Sequence, residues 1–333
     1  YVDDLPHCAT SEELLTWFEE SMRKEFGSLT STELDWVLGI SIDYDRDAGT
    51  CTMTQKQYIE DQCRALGLEH EPAVATPALA NFSADPPTDE TALTPAEQKQ
   101  YMSIIGGLNY VQKQTRLDVA AIISILAQFL SRASKAHMKQ AKRVWVYLRD
   151  TADHTITYRR QDAATANVPL AFCDASFAPG GKTGFGWRRS RTGVVITLNG
   201  AAILWMSRCQ TCVAMSTCEA EYVALSQCAQ EAVWVRAVLT FLGAPQTEPM
   251  RVHEDNEAAA AIANSDAETT IKRTKAVDIR YHYTREKVER GEIKVVPCRT
   301  DDMLADILTK CLGPEKQAHF WTMLRGALHA YLR

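Results

Sequence analysis

The spacing of apolar positions changes along this chain, and each change predicts a different kind of element. Near the start, LDWVLGISIDYD and GTCTMT alternate apolar and polar residues and read as a hairpin, whereas QKQYIEDQCRALGL carries the three-and-four spacing of an amphipathic helix. From Glu97 to Asp150 the pattern is helical, with Met138, Ala141, Trp145 and Leu148 on one face. Further on, LAFCDASF, RTGVVITLNG and AAILWMSRCQT read as strands, and Asn199 with Gly200 supplies the turn chemistry between the second and third. A long helix starting at Ser216 comes next, then a strand (MRVHED), helices, a strand (EIKVVPC) and a final helical segment that includes MLADILTK. Three meandering strands and then alternating helix and strand predict an α/β fold, a mixed sheet with helices on its faces.

Breaks in this pattern divide the chain. Residues 71 to 97 hold five of the twelve prolines together with Asp85, Asp89 and Glu90, the composition of an ordered-to-loose linker. A second polar stretch, RRQDAATANV, separates the helical block from the strand-rich remainder and places the main boundary near residue 163. Three segments result: 1–70, 71–162 and 163–333. With 333 residues, 46% of them hydrophobic, the chain has the apolar content to bury a core in each of two compact domains.

Composition narrows the function classes. No stretch approaches the roughly 20 apolar residues of a membrane span, and the start, YVDDLPHCAT, lacks the layout of a secretory signal, so neither a membrane nor an extracellular location is expected. Ten scattered cysteines form no small-scaffold framework and read as reduced, intracellular thiols. Cys209 and Cys212 form a lone CxxC, with no second pair or histidine at zinc spacing, and read as strand-end cysteines. The net charge of −6 is unevenly spread: residues 268 to 299 hold nine Lys/Arg against five acids, among them Lys275, Arg280 and Arg285. Such a stretch suits phosphate contacts, or equally a solvated helix face laced with i,i+4 ion pairs.

The candidate chemistry lies in carboxylates set among apolar residues, where an acid is costly unless a metal or partner compensates. Asp174 closes LAFCD, Asp255 closes MRVHED and Asp306 lies in MLADILTK. Of two glutamates opening the long helix, Glu219 completes an S-x-x-E capping box with Ser216, which gives it a structural task. Glu221 has none, and is the better metal ligand. Ala220, Ala224, Cys228, Ala232, Val235 and Leu239 form a mostly small-residue face that lets this helix pack close to the sheet. Several acids converging from different elements are what two-metal phosphodiester hydrolysis requires.

In this order LAFCDASFA, MSTCEAEYVAL, VHEDNEAAAAIA, RTKAVDIRYHYTREKVERGEI and DDMLADILTK resemble the RNase H domain of copia-type LTR-retrotransposon Pol polyproteins. The resemblance implies an RNase H-like α/β fold and a D-E-D-D site carried by Asp174, Glu221, Asp255 and Asp306. It implies two Mg²⁺, with Mn²⁺ as a substitute, and an RNA–DNA hybrid substrate gripped through phosphates and 2′-hydroxyls. EYVA at 221–224 matches the family's E-x-x-A in register. The basic helix with Lys275, Arg280, His282 and Arg285 is implied to lie near the hybrid, while His253, and equally His282, also read as packing histidines.

Upstream, Tyr1-Val2-Asp3-Asp4 resembles the YxDD hairpin of reverse transcriptases, and LDWVLGISIDYD, TQKQYIEDQCRALGL, YMSIIGGLNYVQKQTRLDV and AKRVWVYLRDT succeed it in the family's order. The resemblance thus makes residues 1–70 the end of a polymerase palm and start of a thumb, and 71–162 a linker with helical thumb or connection. Asp3 and Asp4 would be polymerase metal ligands, inactive without the palm carboxylate and fingers expected before Tyr1, and the helices of roughly 61–160 would lie against the template-primer. Leu117, Ala276 and Cys311 depart from the family pattern at TRPD, KHID and TKPL; none is a proposed ligand. Two rivals remain: a hybrid-binding relic that does not cut, and a DDE-type integrase, disfavoured by Glu221 falling between the first two aspartates. The family implies a cytoplasmic particle with later nuclear entry, alongside the rest of the Pol polyprotein.

Overall fold

Alternating residues early in the chain form an antiparallel sheet, in a computed structural model that describes residues 5–79, 82, 85–163, 165–177, 189–264 and 275–328, without the side chains of 275–279 and 281. Helix α1 (Glu12–Phe26) comes first, capped by Ser11, whose hydroxyl accepts from Leu14 N at 3.3 Å. Strands β1 (Trp36–Val37), β2 (Ile40–Asp45) and β3 (Thr50–Thr54) come next, then helix α2 (Lys56–Ala65). The helical stretch becomes α3 (Pro95–Gln114), α4 (Ala120–Leu126) and α5 (Lys135–Asp150), joined by short 3-10 turns. Strand β4 (Ile156–Arg159) then pairs antiparallel with β3, completing the order β1-β2-β3-β4. Four residues beside a polar loop are too few to show a period, so β4 is absent from the sequence reading.

The proline-rich stretch is tied to α5 at two points. Gln140 Nε2 donates to Pro77 O at 2.8 Å, and Asp150 accepts from Val74 N at 2.9 Å. The stretch ends in a capping box on α3, in which the Glu97 carboxylate accepts from Thr94 N at 2.9 Å.

The second sheet comprises β5 (Leu170–Ser176), β6 (Arg191–Leu198), β7 (Ala201–Cys209), β8 (Met250–Glu254) and β9 (Ile293–Pro297), with helices α6 (Thr217–Phe241), α7 (Glu257–Asn264), α8 (Lys275–Glu289) and α9 (Pro314–Leu324). Its order is β7-β6-β5-β8-β9. Strand β6 runs antiparallel to both neighbours, while β5, β8 and β9 are mutually parallel. The turn between β6 and β7 takes the left-handed conformation at Asn199 (φ 50°) and Gly200 (φ 91°), which these two residue types tolerate. This mixed five-stranded sheet with flanking helices is an RNase H-like fold.

The expected small-residue face of α6 is buried throughout and meets Ala171, Cys173, Val194 and Ile196 of the sheet. A second core fills the space among α2, α3, α4 and α5, around Trp145 and Tyr101. A third joins the two regions: Leu117, Ala120 and Ile156 pack with Leu170, Phe172 and Val195 and with Phe320, Trp321 and Leu324 of α9. There Trp205 Nε1 donates to Gln112 O at 2.7 Å.

Candidate metal centre

Strand β5 is the point where the sheet changes from antiparallel to parallel neighbours, so ligand-binding crevices form beyond its carboxyl end. Phe172 of β5 pairs with His253 of β8. Two residues further along these parallel strands stand Asp174 and Asp255, which therefore emerge at the same edge. The close packing of α6 brings in the third acid: Glu221, 5% exposed, accepts from Ala175 N at 2.6 Å. One carboxylate oxygen each from Asp174, Glu221 and Asp255 lies within 4.8 Å of the others.

Among the described residues, neither Glu221 nor Asp255 has an ion-pair partner. Burial, and then the neighbouring Asp174, Glu254 and Asp255, push the Glu221 carboxyl up to about 10. Burial likewise raises Asp174, opposed by Lys310. Excess negative charge in an all-oxygen donor set fits a hard divalent cation.

Asp306 approaches from the other side. The sequence predicts a helix over MLADILTK, but Leu304–Leu308 is a single 3-10 stretch with a break before α9. It lies close over β6, where only a hydrogen fits at Gly193: an added Cβ would stand 2.9 Å from Ala305 O. Asp306 is 2% exposed, and its two oxygens meet Lys310 Nζ at 2.5 Å and Lys316 Nζ at 2.8 Å. Lys310 Nζ also reaches Asp174 Oδ1 at 3.3 Å, and the Thr309 hydroxyl donates to Asp174 Oδ2. Burial disfavours the Lys310 ammonium, but Asp174 and Asp306 outweigh it and hold its pKa above the ordinary lysine range.

Sequence reasoning missed Thr309, Lys310 and Lys316; the i,i+4 spacing of Asp306 and Lys310 was the available signal. It also missed Glu254, next to Asp255 but turned inward. Burial raises this carboxyl to about 8, while hydrogen bonds from Asn256 N and the Cys173 thiol oppose that rise.

Other expected residues lie apart from the cluster or outside the described residues. Asp3 and Asp4 are outside them, as is the side chain of Lys275. Arg280 Nη1 contacts Cys212 Sγ at 3.5 Å, tying α8 to the segment before α6. Arg285 pairs with Glu289 at 3.4 Å, an i,i+4 ion pair of the kind a solvated helix face carries. His253 stacks on Phe172, ring centroids 4.4 Å apart, and contacts Ala171 O through Nδ1, a packing histidine. Ser216 caps α6 by accepting from Glu219 N at 3.2 Å, and Glu219 accepts from Met215 N at 2.8 Å, one residue before the cap. Among the described residues, no helix is long and apolar enough to cross a membrane.

The fold is RNase H-like. No protein-family profile matches the chain. It is 29% identical over 322 residues to the retrovirus-related Pol polyprotein from transposon TNT 1-94 of Nicotiana tabacum, covering 95% of this chain and 23% of that one. It is 38% identical over 135 residues to Secreted RxLR effector protein 161 of Plasmopara viticola, covering 40% of this chain and 90% of that one. An RNase H1 solved with an RNA/DNA hybrid aligns with 42% of this chain and 92% of its own, at 15% identity and a TM-score of 0.30. Over 94% to 95% of its length the chain is similar, at 28% to 29% identity, to retrovirus-related Pol polyproteins of plant transposons, and it spans 20% to 23% of their length.

Proposed function

We propose that this chain is a ribonuclease H that hydrolyses the RNA strand of an RNA–DNA hybrid, within a Pol polyprotein that also carries a reverse transcriptase. The observation that carries this reading is the convergence of Asp174, Glu221 and Asp255, from three separate elements, to within 4.8 Å. Asp174, Glu221, Asp255 and Asp306 would hold two Mg²⁺ or Mn²⁺ ions. When bound, these supply an activated water and charge stabilisation at the leaving 3′-oxygen, giving a 3′-hydroxyl and a 5′-phosphate. The protein's own part is geometric. β5 and β8 fix two carboxylates side by side, the amide of Ala175 orients Glu221, and the turn over Gly193 sets Asp306 beside Asp174. Lys275, Arg280 and Arg285 would supply phosphate contacts, with salt-dependent and sequence-indifferent binding.

The test is cleavage of an end-labelled hybrid by the whole chain in Mg²⁺, against Glu221→Gln, Asp255→Asn and Glu219→Gln. Loss of cutting in the first two, and its retention in the third, is the expected result. A folded, hybrid-binding protein that leaves the RNA intact in Mg²⁺ and in Mn²⁺ would refute the enzyme and leave a binding relic.

A further inference from the structure

The two sides of the carboxylate centre are in opposite electrostatic states. Glu221 and Asp255 form no ion pair among the described residues, whereas every carboxylate oxygen of Asp174 and Asp306 already meets a donor. Lys310 Nζ bridges Asp306 Oδ1 at 2.5 Å and Asp174 Oδ1 at 3.3 Å; Lys316 and Thr309 take the remaining two oxygens. The bridge is not a by-product of helical spacing, because Asp174 comes from β5 and Leu304–Leu308 is too short to impose an i,i+4 pair. The carboxylates it joins are each 2% exposed at the side chain, while Lys310 is 39% exposed. Its aliphatic stem therefore reaches in from solvent, and the ammonium has a path back out.

We propose that Lys310 is a built-in counter-ion standing where a second divalent cation would sit, so that the protein takes up metal in a fixed order. One ion binds at Asp174, Glu221 and Asp255; a second gains the Asp174–Asp306 side only by displacing the Lys310 ammonium. The inference rests on the metal-site reading above and adds to it that the two positions are unequal before substrate arrives. The physical reason is that an ammonium and a divalent ion compete for the same oxygens and repel one another across a few Å.

Mn²⁺ binding to the whole chain, monitored by titration calorimetry and by the spin-resonance signal of free Mn²⁺, tests the order. The unsubstituted protein is expected to bind one ion well and a second far more weakly. Lys310→Met and Lys310→Gln should tighten the second ion by at least about tenfold, the scale expected for one removed charge at this distance. Lys310→Arg, which keeps the charge, should leave the two ions unequal. Lys316→Met removes the same charge from an amine that touches Asp306 but not Asp174, and should do less. Thermal melting in metal-free buffer identifies the folded variants, and the Gln variant, able to hydrogen-bond both carboxylates, serves if Met does not fold. Two equal ions in the unsubstituted protein, an unchanged second ion in the neutral variants, or an equal effect of Lys316→Met would each overturn the proposal. Folded protein that binds no Mn²⁺ at all would overturn the metal-site reading itself.

Discussion

Gly193 lies directly opposite Asp174 in the β5–β6 ladder, and its missing side chain makes room for the turn that delivers Asp306. A Cβ at this position would stand 2.7 Å from Thr309 Cγ2, 2.9 Å from Ala305 O and 3.0 Å from Leu308 Cβ. Two of these contacts belong to the turn's tightly packed body, not to the end of a flexible side chain. Gly193→Ala is therefore expected to lose about 1–3 kcal/mol of stability by overpacking and to push Thr309 and Asp306 away from Asp174. Denaturant unfolding reads the first effect and hybrid cleavage the second. An alanine variant matching the parent in both would show that the turn yields freely.

Acid should weaken the helical region through His137. This residue, 1% exposed, closes the capping box of α5 with Ser134 and stacks on Phe129 at 3.9 Å. Burial, opposed by Asp85, lowers its pKa from 6.5 to about 4. The folded state thus excludes the proton that the unfolded chain accepts. His137 contributes its full stability above pH 6.5, loses it as pH falls toward about 4, and changes little below that. His137→Gln preserves a capping-box residue without the titration. Comparing denaturation midpoints at several pH values should show a shallower acid loss in the variant; parallel curves would assign the acid sensitivity elsewhere.

Asp118 neutralises a guanidinium that has no access to water. Arg116 and Asp118 form a two-pronged pair, their side chains 1% and 0% exposed, and Tyr147 donates to the same carboxylate at 2.9 Å. Asp118→Ala strands the Arg116 charge and is expected to lower stability by about 3–5 kcal/mol. Arg116→Met with Asp118→Leu should lose less than the single change, because no buried charge remains unpaired. Urea unfolding of both variants decides this, and equal losses would mean that packing rather than charge dominates.

Legibility in the sequence depended on how local each signal was. The α6 face, the Asn199–Gly200 turn and the strands of the second sheet each declare themselves within a short stretch of neighbouring residues, and each occurs where its pattern puts it. Glu221 was separable from Glu219 because a cap is a local motif. Lys310 was not readable as a partner of Asp174, because that contact spans 136 positions and depends on a turn seated over a glycine in a third element. Strand β4 was hidden for a similar reason: its partner, β3, lies about a hundred residues earlier, and nothing in four residues announces it.

The third core, in which Leu117, Ala120 and Ile156 cover the inner face of α9, makes the helical region and the carboxylate-bearing sheet share one interior. Loosening either half strips cover from the other, so warming should dissolve both in a single calorimetric transition. An insult far from the carboxylates, such as a stranded Arg116, would then reach them as a fall in the temperature at which the entire chain lets go.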